Sequence, residues 1–212
     1  AWGTNINLPL LPGTGDEGLH RLYNGLISHI LEDFKPELII NSAGQDNHFS
    51  DPLASMAVTA QGYACLADKL QADIAVLEGG YSVESALPYV NTGIILAMAG
   101  MDYSKVLEPD MSQLRKQDPR CNKRVDQLIE QVGDLYFNRE RTKKELLQKC
   151  NGVWQRKKHI YYDEEGIREQ QLETVRYCSI CDGYFTIQTA AEDTRFGDQS
   201  AFIVCLPRDI CP

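Results

Sequence analysis

The sequence predicts an α/β fold with a small parallel sheet and flanking helices, followed by a helical extension and a β-rich module. Two short apolar runs, at 37–43 and 73–77, alternate with helical periodicity over the first hundred residues. Strands that alternate with helices pair through crossover connections, so this order favours a parallel sheet. After residue 153 the sequence changes to strand-like runs separated by polar turns, which is typical of antiparallel structure.

The first strand is predicted at residues 2–10, where polar and apolar residues alternate as far as a Pro-Gly loop. Asp16 is the predicted cap of a helix in which apolar residues recur at helical spacing over 19–34. This helix should stop before Pro36. The strand at 37–43 follows, and its apolar character predicts burial on both faces.

Thr59 is the predicted cap of the next helix, which leads into a buried strand at 73–77. A further helix is predicted over 83–98, kinked near Pro88 because proline cannot donate a backbone hydrogen bond. The first hundred residues therefore predict three strands and three helices.

A change of composition divides the chain into three predicted domains. Residues 1–101 form the α/β segment, and 102–153 form a polar linker with amphipathic helices that cover other elements or contact a second copy. Residues 154–212 form the β-rich module, with strands expected at 184–189 and 200–205.

Charge and hydropathy limit the classes of function. Residues 1–100 carry 11 acidic and three basic residues, a net charge of −8, whereas the remainder carries −1. The first segment should therefore repel nucleic acid and attract a cationic ligand. Its longest apolar stretch is too short to span a bilayer and no secretory leader opens the chain, so we expect a cytoplasmic protein. Because the chain begins with Ala1, we also expect a fragment of a longer protein.

The loop after the strand at 37–43 carries the first candidate site. Asp46 and His48 follow the strand's carboxyl end, where open α/β sheets place their ligands. The Asp46 carboxylate is a suitable hard ligand for zinc. The alternative is that Asp46 and Asp51 only bond the backbone, as turn residues do.

The second candidate lies after the strand at 73–77. Gly79 and Gly80 would allow close approach of a ligand to the backbone, and they would place the Tyr81 phenol at the same sheet edge as Asp46. A tyrosine hydroxyl there can donate a hydrogen bond to a developing oxyanion. The alternative is a tyrosine that only packs after a turn.

Together these stretches carry a more specific pattern. LPLLPGTGD at 8–16, SAGQDNH at 42–48 with DPL at 51–53, and LEGGY at 77–81 resemble, in order and spacing, the carboxyl-terminal half of the zinc-dependent histone deacetylase family. This family includes histone deacetylases, acetoin-utilisation proteins and acetylpolyamine amidohydrolases. The resemblance covers about residues 3–100 and implies part of the arginase/deacetylase fold.

The resemblance implies roles for individual residues. Asp46 matches the last of three ligands of the catalytic zinc, and Tyr81 matches the tyrosine that polarises the acetyl carbonyl. Gly79 and Gly80 match glycines that shape the pocket floor, and Gly44 matches the glycine before the ligand.

For two neighbouring positions the resemblance implies no specific role. His48 matches a position that is often histidine, with no ligand role that we assign. Gln45 departs from the usual aromatic or apolar residue, which would alter the pocket wall.

Other parts of the family pattern are absent from the chain. The family's remaining zinc ligands lie on an Asp-x-His segment and its acid/base group is a His-His pair, whereas this chain has four separate histidines: His20, His29, His48 and His159. We therefore expect the chain alone to be inactive and to need a missing amino-terminal half.

Four of the seven cysteines lie near the end of the chain. Cys178 and Cys181 form a Cys-x-x-Cys that resembles the first knuckle of a zinc ribbon, with Cys205 and Cys211 as candidates for the second pair. Alternatively, Cys211 begins a Cys-Pro-x-Cys that the chain end interrupts. Unliganded thiols are a third interpretation, and a redox pair lacks the strand-to-helix context.

The sequence thus predicts part of a zinc-dependent deacetylase that hydrolyses N-acetyl amides of lysine or of polyamines. The alternative is a non-catalytic remnant whose zinc-ribbon tail binds protein or nucleic acid. An arginase-like enzyme would require two-metal, aspartate-rich motifs, which we do not find.

Overall fold

A computed structural model describes residues 5–109, 111, 114, 116–178, 180, 181, 183–193, 195–208, 210 and 211. The described residues form two compact units, 5–137 and 138–211. The divisions predicted after residues 101 and 153 remain predictions, and they differ from the division of these units.

The first unit begins with a long helical segment. Helix α1 (Asp16–Leu22) continues through a π-helical turn (Tyr23–Ile27) into α2 (Ser28–Phe34), as the apolar spacing predicted. Gly15, not Asp16, occupies the cap position of α1. The Asp16 carboxylate instead accepts hydrogen bonds from the Thr59 N–H (2.8 Å) and hydroxyl (2.6 Å).

The remaining elements of this unit are β1 (Ile40–Ala43), α3 (Ala60–Leu70), β2 (Ile74–Leu77), α4 (Leu87–Met98) and α5 (Pro119–Phe137). Thr59 caps α3 as predicted, because its hydroxyl oxygen accepts the Gly62 N–H at 3.1 Å. Helix α4 begins later than predicted and is not kinked at Pro88, which lies in its first turn where no N–H is required.

Strands β1 and β2 pair in parallel, with Ile40 opposite Ile74 and Ala43 opposite Leu77. The strand predicted at 2–10 is wrong for its described residues, 5–10, which form no strand. Leu8 and Leu10 pack instead against a cluster of Leu22, Leu26 and Val125. Residues 2–4 lie outside the described part of the chain.

The predicted burial of both strands is also wrong. Ile40 is 56% exposed and Leu77 is 68% exposed. Because β1 and β2 pair only with each other among the described residues, both are edge strands, and apolar side chains on their uncovered sides contact solvent.

The core of this unit lies mainly between α3 and α4, where small side chains allow close packing. A Cβ atom built on Gly93 would lie 3.1 Å from the Ala64 Cβ. The stretch predicted as a linker also belongs to this unit: Glu108 is 4% exposed, and the Gln117 side-chain oxygen accepts the Gly15 N–H at 2.7 Å.

The second unit contains α6 (Arg139–Lys149) and an antiparallel sheet of β3 (Val153–Tyr162), β4 (Ile167–Arg176), β5 (Tyr184–Glu192) and β6 (Gln199–Cys205). The sequence predicted β5 and β6 but missed β3 and β4, which are rich in charge. Cross-strand ion pairs account for part of that charge, since the Glu173 carboxylate lies 2.6 Å from Lys158 Nζ and 2.7 Å from Arg156 Nε. No helix of the described residues is long and apolar enough to cross a membrane.

Candidate active site

The carboxyl ends of β1 and β2 bring the two predicted motifs together. The Gln45 N–H donates to the Gly79 carbonyl at 2.5 Å, which joins the loop after β1 to the loop after β2. The half-buried Asp46 carboxylate lies directly against this junction. A Cβ atom built on Gly79 would be 2.8 Å from Asp46 Oδ2, and one on Gly44 would be 3.3 Å from Oδ1. The two glycines therefore provide the space that the carboxylate occupies.

Tyr81 lies at the same edge. The Cβ position of Gly79 is also 3.5 Å from Tyr81 Cε2, so the phenol ring and the Asp46 carboxylate both lie beside this glycine. Tyr81 as a whole is 54% exposed, which leaves it accessible to a ligand. Gly80 has φ +150°, a backbone conformation that disfavours a side chain. A Cβ atom built there would also come within 2.9 Å of the Gln45 Cβ.

Residues 1–97 match the family model of the histone deacetylase domain. A probable deacetylase from Archaeoglobus fulgidus is 52% identical over 118 residues, which cover 51% of this chain and 33% of that protein. A histone deacetylase-like amidohydrolase from Pseudomonas aeruginosa is 30% identical over 146 residues, or 62% of this chain and 38% of that protein. We refer to residues 1–97, which match this family, as the deacetylase segment.

The fold of this deacetylase segment agrees with that assignment. The crystal structure of the HDA15 HD domain superimposes with a TM-score of 0.52 at 22% identity, covering 64% of this chain and 36% of that one. The predicted arginase/deacetylase fold is confirmed. The chain spans 33% and 38% of the lengths of the two relatives described above.

A catalytic zinc site at this sheet edge would need more ligands than Asp46. Catalytic zinc is held by three protein ligands, and Asp46 is a suitable carboxylate ligand. Among the described residues, however, Asp46 belongs to no group of three or more histidine, cysteine or acidic side chains that could hold an ion. The described residues thus fit the zinc of this family in one ligand and do not form the site by themselves.

Asp51 connects the loop after β1 to the tyrosine. Its carboxylate oxygen Oδ2 accepts the Tyr81 N–H at 2.7 Å, and Oδ1 accepts the Leu53 N–H at 2.9 Å. Burial by itself raises the pKa of Asp51, but these and other backbone hydrogen bonds outweigh burial and hold its pKa below the usual value. The alternative role considered for Asp51, a turn residue that bonds the backbone, is what the geometry shows.

Gln45 and His48 both point into the protein. Gln45 is 1% exposed, and its side-chain amide donates to the Asn91 side-chain oxygen on α4. The expected change in the pocket wall stays a prediction. His48 is fully buried between Glu108 and Ser50. Sequence reasoning missed Glu108 because it lies in a stretch that reads as a linker.

The tail brings together three of its four candidate thiols. The Sγ atoms of Cys178, Cys181 and Cys211 all lie within 4.8 Å of one another, and those of Cys178 and Cys211 are 3.6 Å apart. Cys205 is exposed at the end of β6 and lies outside this group. The structure thus groups Cys211, and not Cys205, with the Cys-x-x-Cys.

The backbone around the thiols alters their acidity. The N–H groups of Ile180 and Cys181 donate to the Cys178 sulfur and lower the pKa of Cys178 to about 7. Hydrogen bonding with Cys181 and Cys178 raises the pKa of Cys211 to about 11. One thiol of the three is therefore readily ionised near neutral pH.

Proposed function

We propose that residues 1–101 form the carboxyl-terminal part of the catalytic domain of a zinc-dependent deacetylase. The observation that carries this proposal is that the side chains of Asp46 and Tyr81 both lie beside Gly79, within a segment that matches the histone deacetylase family. The reaction is hydrolysis of an N-acetyl amide on lysine or on a polyamine.

Each residue has a distinct chemical task in this proposal. Zinc bound at the completed site supplies Lewis-acid activation of the carbonyl and of water. Asp46 supplies one anionic ligand. Tyr81 donates its hydroxyl proton in a hydrogen bond to the carbonyl oxygen as negative charge develops there. Gly44, Gly79 and Gly80 keep the floor of the pocket free of side chains.

A further part of the domain is required for activity. Apart from Asp46-Asn47-His48 itself, the chain contains no Asp-x-His segment, and it contains no His-His pair, so two zinc ligands and the group that accepts the proton have to come from elsewhere in this proposal. Exposed apolar side chains on β1 and β2 support a missing cover: Ile40, Ile74, Val76 and Leu77. We propose that the amino-terminal half of the same domain packs there, and that the chain alone is inactive.

The net charge of the deacetylase segment indicates the chemical class of the substrate. The net charge of −8 over residues 1–100 favours approach of a cationic molecule, which suits both acetylated lysine peptides and acetylpolyamines. We propose the cytoplasm as the compartment.

The test uses the full-length protein that contains this chain, assayed on an acetyl-lysine peptide and on an acetylpolyamine. Tyr81→Phe should lower kcat by about 10²-fold, as loss of one oxyanion donor does, and Asp46→Ala should abolish turnover. Tyr161→Phe removes a hydroxyl from an exposed tyrosine of the second unit and serves as the matched control. Unchanged turnover in Tyr81→Phe and Asp46→Ala would refute these assignments.

The tail has a second candidate role, favoured by its thiol cluster. We propose that Cys178, Cys181 and Cys211 bind one structural zinc ion through their sulfur atoms, with a fourth ligand from outside the described residues. The folded tail would then act as a protein- or nucleic-acid-binding module even without catalysis.

Metal analysis of the 212-residue chain tests this second role. We expect about one zinc per chain, lost in Cys178→Ser and in Cys211→Ser. Cys205→Ser is the matched control and should retain the metal. Zinc binding that survives Cys211→Ser but not Cys205→Ser would contradict the proposed ligand set.

A further inference from the structure

A network of hydrogen-bonded polar side chains lies next to the loop that carries Tyr81. His48 is fully buried and both of its ring nitrogens are engaged: Nε2 lies 3.2 Å from Glu108 Oε1, and Nδ1 lies 2.9 Å from Ser50 Oγ. Glu108 Oε1 also accepts the Ala60 N–H at 3.0 Å, which anchors the pair to the start of α3. Burying an imidazole beside a carboxylate is costly unless both are hydrogen-bonded, so this arrangement requires its partners.

The hydrogen-bonded network extends from His48 through Ser50 to Ser82, the residue after Tyr81. Ser50 Oγ lies 2.9 Å from Ser82 Oγ and 3.1 Å from Ser85 Oγ, and the last two hydroxyls also bond each other. Asp51, on the same loop as Ser50, accepts the Tyr81 N–H. The backbone at 81–85 is thus held by two adjacent residues of the loop that follows Asp46.

Tyr81 itself contributes little to its own placement. More than half of its surface is exposed, so packing of the ring does not fix the phenol in this unit. Its position must come from the backbone that carries it. The hydroxyl chain and the Asp51 carboxylate supply that constraint.

We propose that His48 is a positioning residue: with Glu108 behind it, it orders Ser50, Ser82 and Ser85 and so fixes Tyr81 beside Asp46. The loop that carries the metal ligand candidate and the loop that carries the phenol are thereby set as one unit. The catalytic part of this inference rests on the proposed function, whereas the structural part concerns the chain alone.

The structural part is tested by hydrogen exchange on the 212-residue chain. Ser82→Ala removes one hydroxyl of the hydrogen-bonded network at low risk to folding. His48→Gln replaces the imidazole with a side chain that does not reach Ser50 in the same way. Both should speed exchange over residues 79–86 by about fivefold, and leave α5 unchanged. Ser28→Ala is the matched control, since its exposed hydroxyl donates to the Asn24 carbonyl within the first helical segment. Unchanged exchange over 79–86 in Ser82→Ala would overturn the inference.

The catalytic part is tested in the full-length protein. Ser82→Ala should lower kcat about tenfold and leave KM nearly unchanged, because a misplaced phenol weakens the transition state more than substrate binding. In a Tyr81→Phe background, Ser82→Ala should have no further effect on kcat. A merely structural defect would lower activity equally in both backgrounds and would overturn positioning.

The two proposals fail in different ways. If Tyr81→Phe leaves turnover unchanged, the proposed function of Tyr81 fails, and the exchange experiment still decides whether His48 orders the loop. If Tyr81→Phe lowers kcat while Ser82→Ala does not, the proposed function stands and positioning by the hydroxyl chain is refuted.

Discussion

At the scale of single residues, the site depends on contacts that only glycine permits. The Asp46 carboxylate occupies the space beside Gly79 where any other residue would place its Cβ atom. The neighbourhood of Asp46 and Tyr81 could be predicted, because the carboxyl ends of adjacent parallel strands meet at one sheet edge. That Gly79 and Gly80 maintain this geometry could be recognised only from the interatomic distances in the structure.

Substituting Gly79 should disrupt the site without unfolding the protein. Gly79→Ala would bring a methyl group within 2.8 Å of Asp46 Oδ2 and displace the carboxylate. In the full-length protein we expect a fall in kcat of about tenfold or more. Gly133→Ala, whose Cβ would meet Leu26 at an ordinary 3.5 Å, is the control and should keep full activity. Equal activity in both variants would contradict this role for Gly79.

The Gln45–Asn91 pair was not foreseeable from the local sequence, because its partners lie 46 residues apart. Asn91→Leu should destabilise the chain by about 1–3 kcal/mol, since it leaves the buried Gln45 amide without its acceptor. Urea unfolding of Gln45→Leu, Asn91→Leu and the double variant measures the coupling. The double variant should be more stable than the sum of the single losses predicts, and strict additivity would exclude the pairing.

Asp51 should make the stability of the first unit sensitive to acid. Its pKa is lowered in the folded protein, so the unfolded chain binds a proton more readily, and the stabilisation present above the usual pKa of about 4 disappears as pH falls through the folded value. Asp51→Asn should lower the free energy of unfolding at neutral pH and flatten its fall below about pH 4. Chemical unfolding across that range measures both, and an unchanged slope would argue against the assignment.

At the scale of elements, helices followed the sequence more closely than strands. The spacing of apolar residues and the Thr59 cap predicted α3 well, because these signals lie within one helix. Strands β3 and β4 were missed because their charges are satisfied across the sheet, as with Glu173 between Arg156 and Lys158. Likewise, no short-range pattern shows that Glu108 lies beneath His48.

Helix α5 was expected as a cover or a contact between copies, and within the first unit it packs against the first helical segment. Val125 is fully buried there with Leu22 and Leu26, and Arg21 makes a two-point ion pair with Asp126 at 2.5 and 3.0 Å. Gly25 allows this approach, since its Cβ would lie 2.6 Å from Ile129 Cδ1. The stretch after residue 101 thus contributes to the core of the unit that contains the deacetylase segment.

Truncation of Val125 should therefore reduce the stability of the first unit. We expect Val125→Ala to cost about 2 kcal/mol, through lost burial and the cavity left behind. Leu135→Ala, at a side chain that is 56% exposed on the same helix, should cost less than about 0.5 kcal/mol. Chemical denaturation monitored by hydrogen exchange in 5–137 separates this transition from that of the second unit. Equal losses would mean that α5 is not docked.

At the scale of the whole molecule, the two-stranded sheet of the deacetylase segment has one apolar face exposed to solvent, which carries Ile40, Ile74 and Val76. The sequence predicted buried strands, because its pattern is typical of strands inside a larger sheet than the described residues form. Exposure of Ile40 and Leu77 follows from the two-stranded sheet and could not be read from the strands alone. Fold family and local motifs were thus predictable, whereas the completeness of the sheet was not.

This face should distinguish the chain from the full-length protein. Ile40→Asn should raise the solubility of the 212-residue chain, because it removes exposed apolar surface from this face. The same change should destabilise the full-length protein by about 2 kcal/mol if the missing half covers this residue. Light scattering of the chain and thermal unfolding of the full-length protein measure the two effects. A stabilising effect in both would contradict a covered face.

Strand β6 is exposed along its whole length, so ladder hydrogen bonds to β5 are its main attachment within the second unit. If Cys211 shares a metal with Cys178, the bridge closes a loop across a separation of 33 residues. The entropy that the unfolded tail loses would then stabilise the folded tail by about 3–4 kcal/mol. The metal would then hold the segment around Cys211 against Cys178. Because chelation would release that segment, carboxypeptidase should digest the tail rapidly after chelation and slowly before it.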